Sequence, residues 1–460
     1  LSRGAVFCDF DGDGDLDLLS ATMPPGQSRE RHVPTTLLRN LLKERGEPRF
    51  EDVTRAAGLM RAGKALDAKI GGIGDTAGGV GCADYDRDGD LDLFWKNTDA
   101  EVENALFRND GDWRFTDVTA SAGVGIQASL RESNAQGSPN WTDVDQDGWI
   151  DLLVTNEGDA KVLLRERGDG RFEDITRSRR PPSGLPFLNP GQAQGACVAD
   201  FDNDGDMDFY LPLADQANRL IMSRLKEKGV LAYEDVTLRS GAGFAGGARG
   251  CAVADFDNDG DVDIYVNNGG PSNVLINDVI SDFPPFVQFY IAWEPAENLL
   301  LRNDGTGHFT DVTRGSGAEG PGIGSGVGAA DLNDDGFPDL FVTNRTYYAA
   351  GKRVSPAPGQ NRLFVNRGNR NHWIKVRLVG ARGNRNAYGA MIKVTSGDLV
   401  QYHETQSAHG YNSTSDPVIT FGLGARTQVD SIEVRWPDGT TQSLSAPPVG
   451  TIAELVEAAR

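Results

Sequence analysis

The chain has 460 residues, with 45 Lys and Arg against 67 Asp and Glu and a formal charge of −22. That excess of acid excludes the phosphate neutralisation on which nucleic-acid binding rests, and it excludes attraction to an anionic membrane surface. No stretch approaches the roughly 18 consecutive apolar residues of a membrane-spanning helix, so no membrane insertion is expected, and 57 Gly against 22 Pro point to tight turns between short elements.

Much of the acid falls in six segments with one spelling. They read DFDGDGDLD from Asp9, DYDRDGDLD from Asp84, DVDQDGWID from Asp143, DFDNDGDMD from Asp200, DFDNDGDVD from Asp255 and DLNDDGFPD from Asp331. Recurrence at roughly 55 to 76 residues is the mark of a repeat architecture. The spelling D-x-[DN]-x-D-G-x-x-D is that of a cation loop. Carboxylates at positions one, three and five converge, Gly at six permits the reversal, seven offers its backbone carbonyl, and a carboxylate at nine closes the shell. Six or more hard oxygen ligands on a flexible loop select Ca²⁺ over zinc or magnesium.

The expected ligands of the first loop are Asp9, Asp11, Asp13, Asp15 and Asp17, and of the second Asp84, Asp86, Asp88, Asp90 and Asp92. The third offers Asp143, Asp145, Asp147, Trp149 and Asp151, and the fourth Asp200, Asp202, Asp204, Asp206 and Asp208. The fifth offers Asp255, Asp257, Asp259, Asp261 and Asp263, and the sixth Asp331, Asn333, Asp335, Phe337 and Asp339. About six Ca²⁺ ions are expected, with a role in stabilising the fold.

An EF-hand would place a bidentate Glu at position twelve and continue into a helix. Position twelve here is Ser20, Trp95, Val154, Leu211, Val266 or Val342. Small apolar residues precede each loop and β-favouring runs such as LDLFWKN and VDIYVNN follow it, so the loop joins two strands. A third strand recurs as TLLRN at 36–40, ALFRND at 105–110, VLLRE at 162–166, RLIMS at 219–223, LLLRND at 299–304 and RLFVN at 362–366. A fourth recurs as RFEDVT at 49–54, RFTDVT at 114–119, RFEDIT at 171–176, YEDVT at 233–237 and HFTDVT at 308–313. The sixth unit reads HWIKVRLVG at 372–380 where this strand is due. Four short strands per roughly 60 residues predict an all-β, six- or seven-bladed β-propeller over 1–371, with calcium loops between the first two strands of each blade. An outer strand supplied from upstream of Leu1 is a further expectation, the start on Leu1 reading as that of a trimmed or mature chain.

A small C-terminal β-domain is predicted over 372–447, with strands at WIKVRLV, MIKVTS, VQYHETQ, VITFGL, SIEVRW and TQSLSA. Residues 448–460 form a tail, in which Ile452, Leu455 and Val456 at helical spacing predict a short helix.

The strand, DxDxDGxxD, strand unit resembles the FG-GAP or VCBS propeller repeats. The stretch GNRNAYGAMIKVTSGD through GYNSTSDPVITFGLG to VRWPDG, about 383–440, is similar to the ASPIC/UnbV domain. Together they resemble the cartilage acidic protein family and its bacterial relatives. The resemblance implies an exported, calcium-binding propeller, secreted or extracellular, or periplasmic or surface-bound in a bacterium, and it implies no activity.

No catalytic residue is expected. Five His are few, none lies in a nucleophile elbow, and the paired carboxylates are committed to metal. His308 is expected to pack within its strand. His403 and His409, with Glu404 and Gln406, are the only polar cluster of the C-terminal domain that could carry chemistry. Arg167-Gly168-Asp169 spells an adhesion tripeptide in a turn, and Asn140, Asn344 and Asn412 are sequons, Asn140 hard against a loop. Cys8, Cys82, Cys197 and Cys251 each precede a loop and stand either as disulfides between neighbouring blades or as buried thiols. Insertions at 20–36, 60–79, 277–297 and 345–360 vary the connections, where repeat proteins keep their function. The leading expectation is recognition of a protein or glycan through one propeller face. The alternatives are an enzyme, a lyase, cyclase or hydrolase with an axial pocket capped by 277–297, and a matrix protein whose acidic surface is its function. The oligomeric state is left open.

Overall fold

In the computed structural model each acidic loop joins two antiparallel strands. The structure describes residues 2–22, 35–59, 77–97, 103–125, 137–156, 161–178, 181–184, 191–269, 271–272, 292–293, 296–345, 348–349, 352–353, 359–381, 384–408, 410–411 and 413–458. The first sheet is β1 (Ser2–Cys8), β2 (Asp17–Thr22), β3 (Thr36–Asn40) and β4 (Phe50–Asp52), neighbours in chain order. The second is β5 (Ala77–Ala83), β6 (Asp92–Asn97), β7 (Ala105–Asn109) and β8 (Phe115–Asp117). The third is β9 (Pro139–Thr142), β10 (Asp151–Val154), β11 (Val162–Glu166) and β12 (Phe172–Asp174). The fourth is β13 (Cys197–Ala199), β14 (Asp208–Leu211), β15 (Arg219–Ser223) and β16 (Tyr233–Asp235).

The fifth sheet opens with β17 (Ala248–Ala254) and β18 (Asp263–Asn268). A two-stranded hairpin, β19 (Pro271–Ser272) with β20 (Ala292–Trp293), flanks the 277–297 insertion before the sheet closes with β21 (Leu299–Asn303) and β22 (Phe309–Asp311). Residues 277–291, with Phe283, Phe286, Phe289 and Tyr290, lie outside the described residues, as do 23–34 and 60–76. The sixth sheet has β23 (Gly324–Ala330) and β24 (Asp339–Asn344), a side hairpin of β25 (Tyr348–Ala349) and β26 (Lys352–Arg353), and β27 (Arg362–Phe364) as its third and last strand. HWIKVRLV, which takes the place of the fourth strand in the sequence, leaves for the C-terminal domain, so Leu363 and Val365 stand exposed at an open edge.

Recurring side chains explain why these short strands hold. The threonine of each DVT or DIT segment accepts the third strand's N–H: Thr54 from Leu37 at 2.9 Å, Thr119 from Leu106 at 3.0 Å, Thr176 from Leu163 at 2.7 Å, Thr237 from Leu220 at 3.0 Å and Thr313 from Leu300 at 2.8 Å. The asparagine ending the third strand reaches back one sheet: Asn109 donates to the Phe10 carbonyl at 2.9 Å, Asn303 to Phe201 at 2.9 Å and Asn366 to Phe256 at 2.8 Å. Consecutive sheets bury shared apolar clusters, as where Leu153 and Leu163 of the third meet Val198 and Phe209 of the fourth. Two disulfides tie first strands of neighbouring sheets, Cys8 to Cys82 and Cys197 to Cys251.

The C-terminal domain stacks two sheets about Ile374, Val376, Ile392, Val434 and Trp436. One is β29 (Met391–Ser396) flanked by β30 (Leu399–Glu404) and by β32 (Ser431–Arg435) with β33 (Thr441–Ser445). The other is β28 (His372–Val379) between β31 (Ile419–Gly424) and β34 (Ile452–Val456). The tail is therefore a strand, not the expected helix, and β34 pairs parallel with β28 from Ile452 opposite Lys375 to Val456 opposite Val379. Its inward residues are Ala453 and Leu455, while Ile452 and Val456 face outward. The period is two, and the β-branched ends suit a strand.

Between β30 and β31 the chain enters the place where the first strands of the sheets converge. Ser407 bonds the Cys82 backbone on both sides, Gly410 donates to the Ala196 carbonyl at 2.8 Å, and Asp416 donates to the Ala329 carbonyl at 3.0 Å. These partners lie on the second, fourth and sixth sheets. Gly410 sits at φ 61°, and a Cβ there would come 2.3 Å from the Cys251 carbonyl oxygen. Gly410→Ala should lower the unfolding free energy by roughly 1–3 kcal/mol, read as a lower denaturant midpoint. An unchanged midpoint would place this segment elsewhere. Replacing either cysteine pair by serine should cost up to about 4–4.5 kcal/mol, from the 74- and 54-residue separations, and a stability indifferent to reductant would speak against the pairings.

Candidate metal centres

Each loop turns on its sixth residue. Gly14, Gly89, Gly148, Gly205, Gly260 and Gly336 have φ from 91° to 109°, which a side chain at Cα disfavours. The glycine N–H then donates to the outer oxygen of the first aspartate, as from Gly14 to Asp9 at 2.9 Å, Gly148 to Asp143 at 3.0 Å and Gly260 to Asp255 at 2.8 Å. The ninth position does more than the sequence suggests, because both its oxygens already accept backbone N–H groups. One comes from position two, such as Phe10 to Asp17 at 3.0 Å or Phe256 to Asp263 at 3.0 Å. The other comes from the third strand, Asn40 to Asp17 at 2.8 Å, Asn109 to Asp92 at 2.8 Å, Glu166 to Asp151 at 2.8 Å, Ser223 to Asp208 at 2.7 Å, Asn303 to Asp263 at 2.9 Å and Asn366 to Asp339 at 2.7 Å. Hydrogen bonds to charged acceptors are worth about 1.5–3 kcal/mol each, so this residue fastens loop to sheet. Each oxygen keeps a second lone pair, which leaves it able to face an ion as well.

Positions one, three and nine converge. One oxygen from each of Asp84, Asp86 and Asp92 lies within 4.8 Å of the other two, and the same holds for Asp143, Asp145 and Asp151 and for Asp200, Asp202 and Asp208. In the first loop Asp9, Asp11 and Asp13 do so, and Asp13 and Asp15 also meet Glu44. Several of these oxygens are buried and lack a hydrogen-bond partner: Oδ1 of Asp9, Asp15, Asp84, Asp86, Asp143, Asp145, Asp202 and Asp257, and Oδ2 of Asp204. A buried carboxylate oxygen without a donor is costly. Burial, reinforced by neighbouring carboxylates, pushes Asp9 up to about 6 and Asp17, Asp84, Asp204 and Asp259 up to about 7. Asp143 rises to about 6 by burial against the opposing Arg435 guanidinium. Clustered carboxylates that resist ionisation, with orphaned oxygens aimed inward, are groups that could hold a metal ion, and the all-oxygen donor set is that of a hard cation.

Position four escaped the sequence reading. Gly12, Arg87, Gln146, Asn203, Asn258 and Asp334 all have positive φ, between 54° and 70°, and three of these side chains hydrogen-bond to the next loop. Gln146 donates to the Gly205 carbonyl at 2.6 Å, Asn203 to Asp261 at 2.9 Å and Asn258 to the Gly336 carbonyl at 2.9 Å. The Arg87 guanidinium stacks 4.1 Å over Trp149. Four of the six carry a signal in their residue type, since Gly, Asn and Asp favour the left-handed conformation, whereas Arg87 and Gln146 carry none.

The C-terminal domain rests on the loops. Arg435 pairs with Asp143 at 2.9 Å, Arg385 lies 3.8 Å from Asp9, and the Gly424 N–H donates to the Asn258 carbonyl at 2.8 Å. Glu404, fully buried and raised to about 7 by burial and by Asp143, accepts the Asp143 N–H at 2.9 Å. The expected His403, His409, Glu404 and Gln406 cluster is thus part of a docking joint: Gln406 bonds Glu404 at 3.4 Å, His403 stacks edge-on against Phe421, and His409 lies outside the described residues.

His308 is exposed rather than packed, its Nδ1 3.1 Å from the Arg239 carbonyl. Asn140 is buried, Asn344 donates to the Gln360 carbonyl at 2.8 Å, and Arg167-Gly168-Asp169 is an exposed turn between β11 and β12. His32 and Asn412 lie outside the described residues. Among the described residues no helix is long and apolar enough to cross a membrane.

The ASPIC and UnbV family profile matches residues 380–460, and the FG-GAP-like repeat profile matches 143–211 and 289–342. Cartilage acidic protein 1 of Homo sapiens is 24% identical over 481 residues, covering 98% of this chain and 63% of that protein. The Xenopus tropicalis protein of that name is 25% identical over 320 residues, covering 66% of this chain and 42% of its own length. The chain therefore spans less than two thirds of the length of these relatives. Among solved structures, the exotype rhamnogalacturonan lyase YesX is 13% identical, with 99% of this chain and 72% of that chain covered and a TM-score of 0.37. The V. cholerae biofilm matrix protein Bap1 is 12% identical, with 81% and 59% covered and a TM-score of 0.35. Such weak structural likenesses carry no functional assignment. The chain thus carries FG-GAP-like repeats followed by an ASPIC and UnbV domain, and it is similar over 98% of its length to cartilage acidic protein 1.

Proposed function

We propose that the protein is an exported, non-enzymatic β-propeller, its six sheets arranged as blades, whose acidic loops hold Ca²⁺ as structural ions and whose free end recognises a protein or glycan partner. The buried, unpartnered oxygens of the first and third aspartates carry the metal reading. Loops one to five fit Ca²⁺: the first and third aspartates converge with the ninth in loops two to four and with the fifth in loop one, and loop five shares their spelling and leaves Oδ1 of Asp257 buried without a donor. The ion would supply the positive charge that lets these carboxylates ionise while buried. Two disulfides and the kinship with cartilage acidic protein 1 support an extracellular setting.

Topology supports the place of recognition. In an antiparallel four-stranded sheet the loops between strands one and two and the turns between strands three and four share one end, and the remaining connections leave from the other. The first end is covered by the C-terminal domain. The links between units, and the connections from β18 to β21 and from β24 to β27, leave from the second, and connections on a rigid scaffold are where binding residues concentrate. The enzyme alternative needs an axial pocket, and Ser407, Gly410 and Asp416 bond to the chain where the first strands converge.

Calcium should raise stability by about 2.7 kcal/mol per filled site at a hundredfold excess over Kd. A melting temperature rising with calcium and falling in EDTA is expected, and one indifferent to both would contradict the metal reading. Acid should weaken the sites. The metal-free folded state keeps protons on Asp9 and Asp143 to about 6 and on Asp84, Asp204 and Asp259 to about 7, whereas the unfolded chain loses them near 3.8. Metal-free stability should therefore fall as pH rises through this window, and calcium uptake at about pH 6 should release protons, with affinity rising toward about pH 8. Calorimetry in two buffers of different ionisation enthalpy reads the release, and a zero difference would count against it. A glycan array and a pull-down, each with and without calcium, test recognition. Partner binding that survives loss of the 277–297 and 345–360 connections would move the surface elsewhere.

A further inference from the structure

The sixth loop keeps the loop glycine and the first and ninth aspartates of the other five, but it differs at its third position and in the cation that faces it. Position three is Asn333 instead of aspartate, and it is exposed, whereas Asp11, Asp86, Asp145, Asp202 and Asp257 are half-buried. Its amide closes on its own loop: Asn333 Nδ2 donates to Asp335 Oδ2 at 2.9 Å, and Asn333 Oδ1 accepts the Asp335 N–H at 3.1 Å. Asp335 Oδ1 accepts the Phe337 N–H at 2.9 Å. Asp331 accepts the Asp335 N–H at 3.1 Å and the Gly336 N–H at 2.7 Å, and Asp339 accepts Leu332 at 3.0 Å and Asn366 at 2.7 Å. Every side-chain oxygen of the expected ligand set has a donor. Each of the other five loops leaves at least one buried oxygen without one.

A cation is already there. Lys375, on β28 of the C-terminal domain and 3% exposed, puts its ammonium in direct ionic contact with Asp331 Oδ2, and 3.4 Å from Asp334. Asp331, its partner, is buried. Trp373 closes over the loop glycine, since a Cβ on Gly336 would fall 1.8 Å from its ring, and the ammonium lies 5.6 Å from the centre of that ring. Arg435 and Arg385 also meet first aspartates, in loops three and one, but there Oδ1 of Asp143 and of Asp9 remains unpartnered. Loop six alone combines a buried ammonium with a fully satisfied ligand set.

We infer that the sixth loop takes no calcium, and that the Lys375 ammonium stands in for the ion, anchoring the C-terminal domain to the last sheet by a lock that chelation does not open. This rests on the calcium reading of loops one to five. A buried ammonium needs a carboxylate partner, and the three carboxylates left among the expected ligands of this loop are better matched by a fixed monovalent cation that brings its own hydrogen-bond donors.

The test is the number of Ca²⁺ ions retained per chain after chelation, refilling and equilibrium dialysis, counted by elemental analysis. Wild type should hold five. Asp335→Ala should also hold five, and Asp257→Ala four. Asn333→Asp with Lys375→Met should hold six, because it restores the fourth carboxylate and removes the resident charge. Six ions in wild type, or a loss of one on Asp335→Ala, would overturn the inference. No loss on Asp257→Ala would instead overturn the calcium reading beneath it. Should the double variant not fold, the Asp335→Ala count decides alone.

Discussion

Buried like charge is the constraint on which this structure turns. Carboxylates converge at each of the first four loops, and all of the first five hold buried carboxylate oxygens without a donor. Such clusters persist in a folded chain only if protons or a cation neutralise them. The rest of the loop holds them in place: the glycine N–H fixes the first aspartate, and the ninth aspartate staples loop to third strand through two backbone N–H groups. Position four carries the restraint from loop to loop, so that sheets buried against one another are also linked at their rims.

The C-terminal domain completes this end of the molecule. Its basic residues meet first aspartates in loops one, three and six, and its 407–416 segment reaches the convergence of the first strands, against the backbones that carry the disulfides. Small residues are required there, Gly410 because its φ and the Cys251 carbonyl leave no room for a Cβ.

Much of this was legible in the residues. Position twelve lacked a ligand in all six units, and the flanking residues were β-branched or small, which identified strand-flanked loops without coordinates. Third and fourth strands were marked by LRN and DVT because each carries a polar side chain with a fixed backbone partner. The tail misled, since Ile452, Leu455 and Val456 satisfy a helical spacing as well as an alternating one, and only the β28 edge decides between them. The role of position four and the placement of Lys375 against Asp331 were not legible, because both depend on which sheets are neighbours in space. His308 lies just ahead of a strand whose pattern predicts packing, yet its ring turns to the Arg239 carbonyl on the surface.

The most direct measurement is long-wavelength anomalous diffraction from crystals grown with calcium. A peak between the first, third and ninth carboxylates of loops one to five, with Lys375 against Asp331 in the sixth, is the predicted result. Carboxylates splayed to solvent with no peak in any loop would contradict the claim that metal ions hold the acidic loops together.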